Sequence, residues 1–171
     1  MLNLTEGTQT VQFARQIIQE YIAHKKKTSL NLTPSFCEKH GVFVTLHTFP
    51  NHELRGCIGI PLPVMTLQDA IIESAQSVTR DPRFPPLAET ELDTIIVEVT
   101  VLTKPELIKV KQPRDYPAHI VIGRDGLIVE QSFFKGLLLP QVPVEQEWDK
   151  EEYLSHTCLK AGLPPDAWFE K

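Results

Sequence analysis

The chain has 171 residues, of which 42% are hydrophobic and 23% charged, and a formal net charge of -5. That length and balance suit one domain with a buried core and exclude a disordered chain. The acidic total argues against a nucleic-acid protein, which needs a basic face to neutralise phosphates, and the sequence has no run of about 18 apolar residues to span a membrane.

Residues 1–12 show no basic stretch followed by an apolar one, so no signal peptide is expected. Cys37, Cys57 and Cys158 are odd in number and form no CxxC, which predicts free thiols and a cytoplasmic location rather than a disulfide framework. Lys25, Lys26 and Lys27 are the one basic run. They fall at the end of a predicted helix, where cations suit the macrodipole.

Residues 8–26 form the first predicted helix. Val11, Ala14, Ile18 and Ile22 share a stripe that Phe13, Ile17 and Tyr21 widen. Residues 42–49 alternate as a strand, Pro50-Asn51-His52 turns, and residues 53–60 return as its hairpin partner, weakened by Gly56 and Gly59. Pro61 and Pro63 close that unit. Thr66 and Asp69 mark a second helix start, with Leu67, Ala70, Ile71, Ser74, Ala75 and Val78 facing the core and Asp81-Pro82 as its stop.

Residues 94–102 are the strongest strand. Ile95, Val97, Val99 and Val101 lie on one face and Ile96, Glu98, Thr100 and Leu102 on the other; Val97 and Val99 are expected to be buried in a central strand. Residues 118–122 and 127–131 flank Gly123-Arg124-Asp125-Gly126 as a second predicted hairpin. Asp149 and Glu152 cap a last helix reaching Ala161, ended by Gly162 and Pro164-Pro165. This order lacks the β-α-β rhythm of a doubly wound sheet. The fold class is therefore α+β, a mainly antiparallel sheet with flanking helices.

Three segments carry candidate chemistry. In Leu54-Arg55-Gly56-Cys57-Ile58-Gly59, two glycines bracket a cysteine and permit close approach of a ligand or another backbone, and a guanidinium stands close enough to favour a thiolate. The alternative is a glycine-bent strand with a buried, inert cysteine. In Asp81-Pro82-Arg83-Phe84-Pro85-Pro86-Leu87, three prolines stiffen a loop, so Arg83 either pairs with Asp81 or projects toward a carboxylate or phosphate. Glu98 sits on an apolar strand. If covered it needs a partner such as Arg55 or Arg83, and a buried carboxylate there would serve as a general base. His47, His52 and Cys57 share one hairpin, but zinc spacings such as CxxC and HExxH are absent, so no metal is expected. GxGxxG, the P-loop and GxSxG are absent too, and no cofactor is expected. Gly56-Cys57-Ile58-Gly59 fits the GxxG of a KH domain, but that loop joins two helices, unlike the strand and proline turn read here.

The signature at residues 54–59 resembles that of the AMMECR family, named for a candidate protein of the Alport-syndrome and midface-hypoplasia chromosomal region. The likeness continues in residues 81–87, in Ile96-Val97-Glu98-Val99-Thr100-Val101-Leu102, in Gly123-Arg124-Asp125-Gly126-Leu127-Ile128-Val129, in Gly136-Leu137-Leu138-Leu139-Pro140-Gln141-Val142 and in Cys158-Leu159-Lys160-Ala161-Gly162-Leu163-Pro164. It spans nearly the whole chain and looks like a stand-alone archaeal or bacterial member. The resemblance implies one AMMECR-like domain over residues 1–171, built of a larger and a smaller lobe with the signature near a groove between them. It implies Memo-like and radical-SAM proteins as partners in a shared pathway, and it carries over no catalytic residue. Pro143 and Asp125 depart from the family pattern; Pro143 is expected to bend the segment after Gln141.

Two functions compete. One is an enzyme, or enzyme subunit, in which Arg55, Gly56, Gly59, Arg83 and Gln141 bind an anionic small molecule while Cys57 and Glu98 act as nucleophile or acid/base. The other is a non-catalytic binding or scaffold protein presenting a substrate to a radical-SAM partner. Nucleic-acid binding is disfavoured by charge, and the sequence sets no oligomeric state.

Overall fold

The protein is described here by a computed structural model covering residues 2–24 and 33–170. The lysine run at 25–27 lies outside the described residues. The chain divides into two units, Met1–Lys104 and Pro105–Lys171.

In the first unit, helix α1 (Leu4–Ile22) starts earlier than the apolar stripe indicates. Asn3 and Glu6 form a reciprocal cap: the Glu6 N–H donates to Asn3 Oδ1 at 3.0 Å and the Asn3 N–H to Glu6 Oε2 at 2.9 Å. The buried face is Thr10, Phe13, Ala14, Ile17 and Ile18. Val11, expected in the stripe, is exposed, because the contact face is rotated toward Phe13 and Ile17. Arg15 fastens α1 to the sheet by donating from Nη1 to Leu92 O (2.8 Å) and from Nη2 to Ile95 O (2.6 Å).

Strands β1 (Gly41–Thr48), β2 (Leu54–Ile60) and β3 (Ile95–Leu102) form one antiparallel sheet in the order β2-β1-β3. β1 is therefore central, and β3, expected in the middle, is an edge. Val97 is buried but Val99 only partly so, since among the described residues β3 has a strand neighbour on one side alone. Helix α2 (Leu67–Val78) begins on a Thr66 side-chain cap and buries Leu67, Ala70, Ile71, Ser74, Ala75 and Val78, the stripe read from the sequence. With α1 and the Val42/Val44/Leu46 face of β1 it encloses a single apolar core.

The second unit has its own core of Ile120, Leu127, Tyr153, Leu154, Cys158, Ala161, Leu163 and Trp168. Its sheet is the hairpin β4 (Leu127–Gln131) and β5 (Phe134–Leu138), turned at Ser132, which takes a positive φ of 55°. This corrects the hairpin expected between residues 118–122 and 127–131. Residues 113–119 wind as a 3-10 helix around Pro117, and proline has no N–H to give a ladder. Gly123–Gly126 does turn the chain, with the Asp125 N–H bonded to Val121 O at 3.0 Å, but it leads in from that helix, not from a strand.

Helix α3 (Gln141–Glu145) contains Pro143 in its first turn, where no intrahelical N–H bond is lost, so the expected bend is replaced by a short helix. Helix α4 (Lys150–Lys160) starts on the Asp149/Glu152 capping box, as expected. Its last turn lies on Gly136 of β5: a Cβ there would stand 2.7 Å from Thr157 O and 2.5 Å from Ala161 N, so any side chain would push the helix off the hairpin.

Tyr153 pins the second unit. Its side chain is fully buried, and its hydroxyl donates to Leu138 O at 2.9 Å with the carbonyls of Asp125 and Leu139 close by. Burial pushes the phenol up from 10.0 to about 12. A group raised in the folded state contributes its full stabilisation below the unfolded value and loses it as pH rises toward the folded one. Tyr153→Phe should therefore lower stability by about 1–3 kcal/mol near neutrality, because buried carbonyls lose their donor. It should also flatten the loss of stability between pH 10 and 12. Urea titrations of both proteins across that range test this.

Candidate functional site

The signature segment is β2. Its pairing with β1 runs Thr45↔Cys57 and Leu46↔Gly56, then jumps to His47↔Leu54, which leaves Arg55 as the extra residue of a bulge. A bulge redirects the side chain it carries. Here Arg55 reaches the 3-10 segment Glu89–Thr94 and grips Glu91 with both ends of its fork: Nε to Oε1 at 2.8 Å and Nη2 to Oε2 at 3.1 Å. Glu91 also accepts the Ala88 N–H at 2.8 Å, and the Arg55 bond is the main reason its carboxyl lies below the usual range.

Both signature glycines are close-approach positions. A Cβ on Gly56 would stand 3.0 Å from Val78 O at the end of α2, and one on Gly59 would run into Val42 O and the Phe43 ring. The space beside each is filled by the protein itself.

Asp81, just beyond α2, joins β2 to the proline-stiffened loop. Its side chain is 1% exposed. Oδ2 accepts the Cys57 N–H (2.8 Å) and Arg83 Nη2 (2.7 Å); Oδ1 accepts the Arg83 N–H and Nε (both 3.0 Å). These bonds, the Arg83 side chain first, hold the carboxyl far below its ordinary value against the opposing effect of burial. Arg83, its side chain 55% exposed, also donates from Nη2 to Cys57 O at 3.2 Å. Phe84 lies beneath both guanidinium groups, 5.9 Å from Arg55 and 5.6 Å from Arg83.

Register places Thr45, Cys57 and Glu98 in one row across the sheet, on the face away from the helices. The Thr45 hydroxyl donates to Cys57 Sγ at 3.3 Å. Cys57 is partly exposed and Glu98 exposed, with the Thr100 hydroxyl as its partner at 3.4 Å.

The structure thus gathers Arg55, Gly56, Cys57, Gly59, Arg83 and Glu98 in the first unit. Glu98 is not a covered carboxylate, and its expected arginine partners are taken up by Glu91 and Asp81. Gln141 opens α3 of the second unit and is exposed. His47 and His52 stack at 4.3 Å, but no group of three or more His, Cys, Asp or Glu suited to a metal occurs among the described residues. Sequence reasoning missed Thr45 and Glu91. Alternation along β1 could have found Thr45, whereas nothing local marks Glu91.

A bulged Arg-Gly-Cys strand, clasped by an Asp-Pro-Arg loop on an α+β body, defines a class of protein by its site. The AMMECR1 family model matches residues 11–171, and the chain belongs to that family. It is 59% identical to protein MJ0810 of Methanocaldococcus jannaschii, over 99% of this chain and 85% of that protein. It is 51% identical to protein MK0488 of Methanopyrus kandleri, over 98% and 82%. A crystal structure of protein PH0010 from Pyrococcus horikoshii superposes with a TM-score of 0.90 at 47% identity, covering 99% of this chain and 86% of that one.

A carboxyl with a depressed folded-state pKa stabilises fully above its unfolded value, about 3.9, and loses that contribution as pH falls toward the folded one. Asp81→Asn should therefore cost about 2 kcal/mol at neutral pH, the scale of hydrogen bonds to a charged group. The difference from the unsubstituted protein should shrink as the pH drops below about 4. Denaturant midpoints measured from acid to neutral pH test both expectations.

Proposed function

We propose that the first unit binds an anionic small molecule at Arg83 and uses the Cys57 thiol as the reacting group, as an enzyme or an enzyme subunit. One observation carries this reading: Arg83 is half exposed beside Cys57 with two Nη1 donors for which the described residues supply no bond. Its other donors fix the guanidinium in place, so an incoming carboxylate or phosphate meets a pre-oriented charge. Thr45 orients the sulfur, and Glu98, next in the row, serves as acid or base. Arg55, committed to Glu91, supports the loop and leaves anion capture to Arg83. The three unbridged cysteines support a reducing, cytosolic setting. The family resemblance supports a modification pathway shared with Memo-like and radical-SAM proteins.

A specific observation favours the second reading, a non-catalytic binding or scaffold protein. Both signature arginines already hold carboxylates of their own chain with two bonds each, which is also how a purely structural pair is built.

The two readings separate by alkylation of Cys57 with neutral iodoacetamide and anionic iodoacetate, followed by mass spectrometry. Anion capture at Arg83 should make iodoacetate unusually competitive. Arg83→Gln should lower the iodoacetate-to-iodoacetamide rate ratio about tenfold, equivalent to about 1.4 kcal/mol and within reach of one charge-assisted bond. An unchanged ratio in a folded variant would sink the ligand reading. Native thiol titration should find Cys37 fastest and Cys158 slowest, matching their exposed and buried positions, and three thiols should appear on denaturation without reductant.

A further inference from the structure

We infer that residues 81–91 are an edge guard, closing the outer side of β2 against pairing with β2 of a second copy of this chain. Among the described residues β2 has a strand neighbour, β1, on one side only. Its sequence, Leu-Arg-Gly-Cys-Ile-Gly-Ile, carries one charge in seven residues and no proline. An edge of that kind is a template for another chain.

At Cys57 the template is occupied. The N–H donates to the Asp81 carboxylate and the C=O accepts from the Arg83 guanidinium. A neighbouring strand would offer an acceptor and a donor to the same two groups, and here one ion pair supplies both. The loop's own main chain is poorly suited to pairing, since Pro82, Pro85 and Pro86 have no N–H. Side chains therefore close the edge where a ladder cannot. The Arg55 bulge and its grip on Glu91 add a second point of closure, and bulges are themselves a means of spoiling an edge.

A second copy is the fitting occupant because β2 is self-complementary about Cys57. Antiparallel pairing with Cys57 opposite Cys57 sets Arg55 against Gly59, Gly56 against Ile58 and Leu54 against Ile60. No like charges meet, and the two Cys57 residues exchange the main-chain bonds that Asp81 and Arg83 otherwise satisfy.

The test uses the full chain with Cys37→Ser, comparing it with Arg83→Gln and with Asp81→Asn/Arg83→Gln, which leaves no unpaired charge. Light scattering over a concentration series should show the mass of at least one clasp variant doubling relative to the parent. Mild oxidation with diamide should then trap a disulfide-linked dimer that Cys57→Ser removes. Folded clasp variants that keep the parent's mass at the highest soluble concentration would overturn the inference. So would association without a Cys57 cross-link, which would place the contact elsewhere. If circular dichroism shows both variants unfolded, the pair is a strut of the core and the inference falls equally.

Discussion

The Asp81 carboxylate is almost shut off from water, and a charge in that position is tolerable only if its oxygens are bonded. Four hydrogen bonds meet that demand, and together they join two segments of the first unit. One holds β2 at Cys57. The others hold Arg83 by its backbone and its fork, and Arg83 returns to the Cys57 carbonyl. Because Asp81 lies just beyond α2, the helix end comes down onto β2, and a Cβ at Gly56 would press on Val78, 3.0 Å from its O. The glycine, the aspartate and the arginine are thus parts of one constraint, although the first two lie 25 positions apart in the sequence.

The two units stabilise themselves in different ways. The first relies on a large aliphatic core between a three-stranded sheet and two helices, with bidentate Arg–carboxylate pairs at the strand edge and its loop. The second, only 67 residues long, has a small core in which one tyrosine hydroxyl and one glycine set the distance between hairpin and helix. Small cores depend heavily on such individual contacts because they have little apolar area to spare.

The α+β class, α2 and α4 with their caps, and the four strands β1 to β4 are legible in the sequence because period-2 and period-3.6 patterns are local and strong there. The start of α1 was hidden by Gly7, which sits in open space within the helix and weakens the pattern without stopping it. The second hairpin was misplaced because Gly123–Gly126 is the stronger turn signal. The true turn at Ser132-Phe133 uses a non-glycine residue at positive φ. At the candidate site, the unusual composition around Cys57 and around Arg83 marks two segments that meet in the fold. Their connection through Asp81, the alignment of Thr45 with Cys57 and the pairing of Arg55 with Glu91 all depend on strand register and a bulge. Those are long-range outcomes that no window of sequence contains.

The clasp binds Cys57 by its peptide N–H and C=O, groups that nearly every amino acid shares. These hydrogen bonds therefore do not depend on which side chain residue 57 carries, provided it is not proline. Scaffold and side chain are decoupled at this one position: the fold asks for a backbone there, and the thiol, turned to the other face of the sheet row with Thr45, answers to a separate demand. Selection or an engineer can vary position 57 without renegotiating the architecture around it, as in a socket that accepts interchangeable tools.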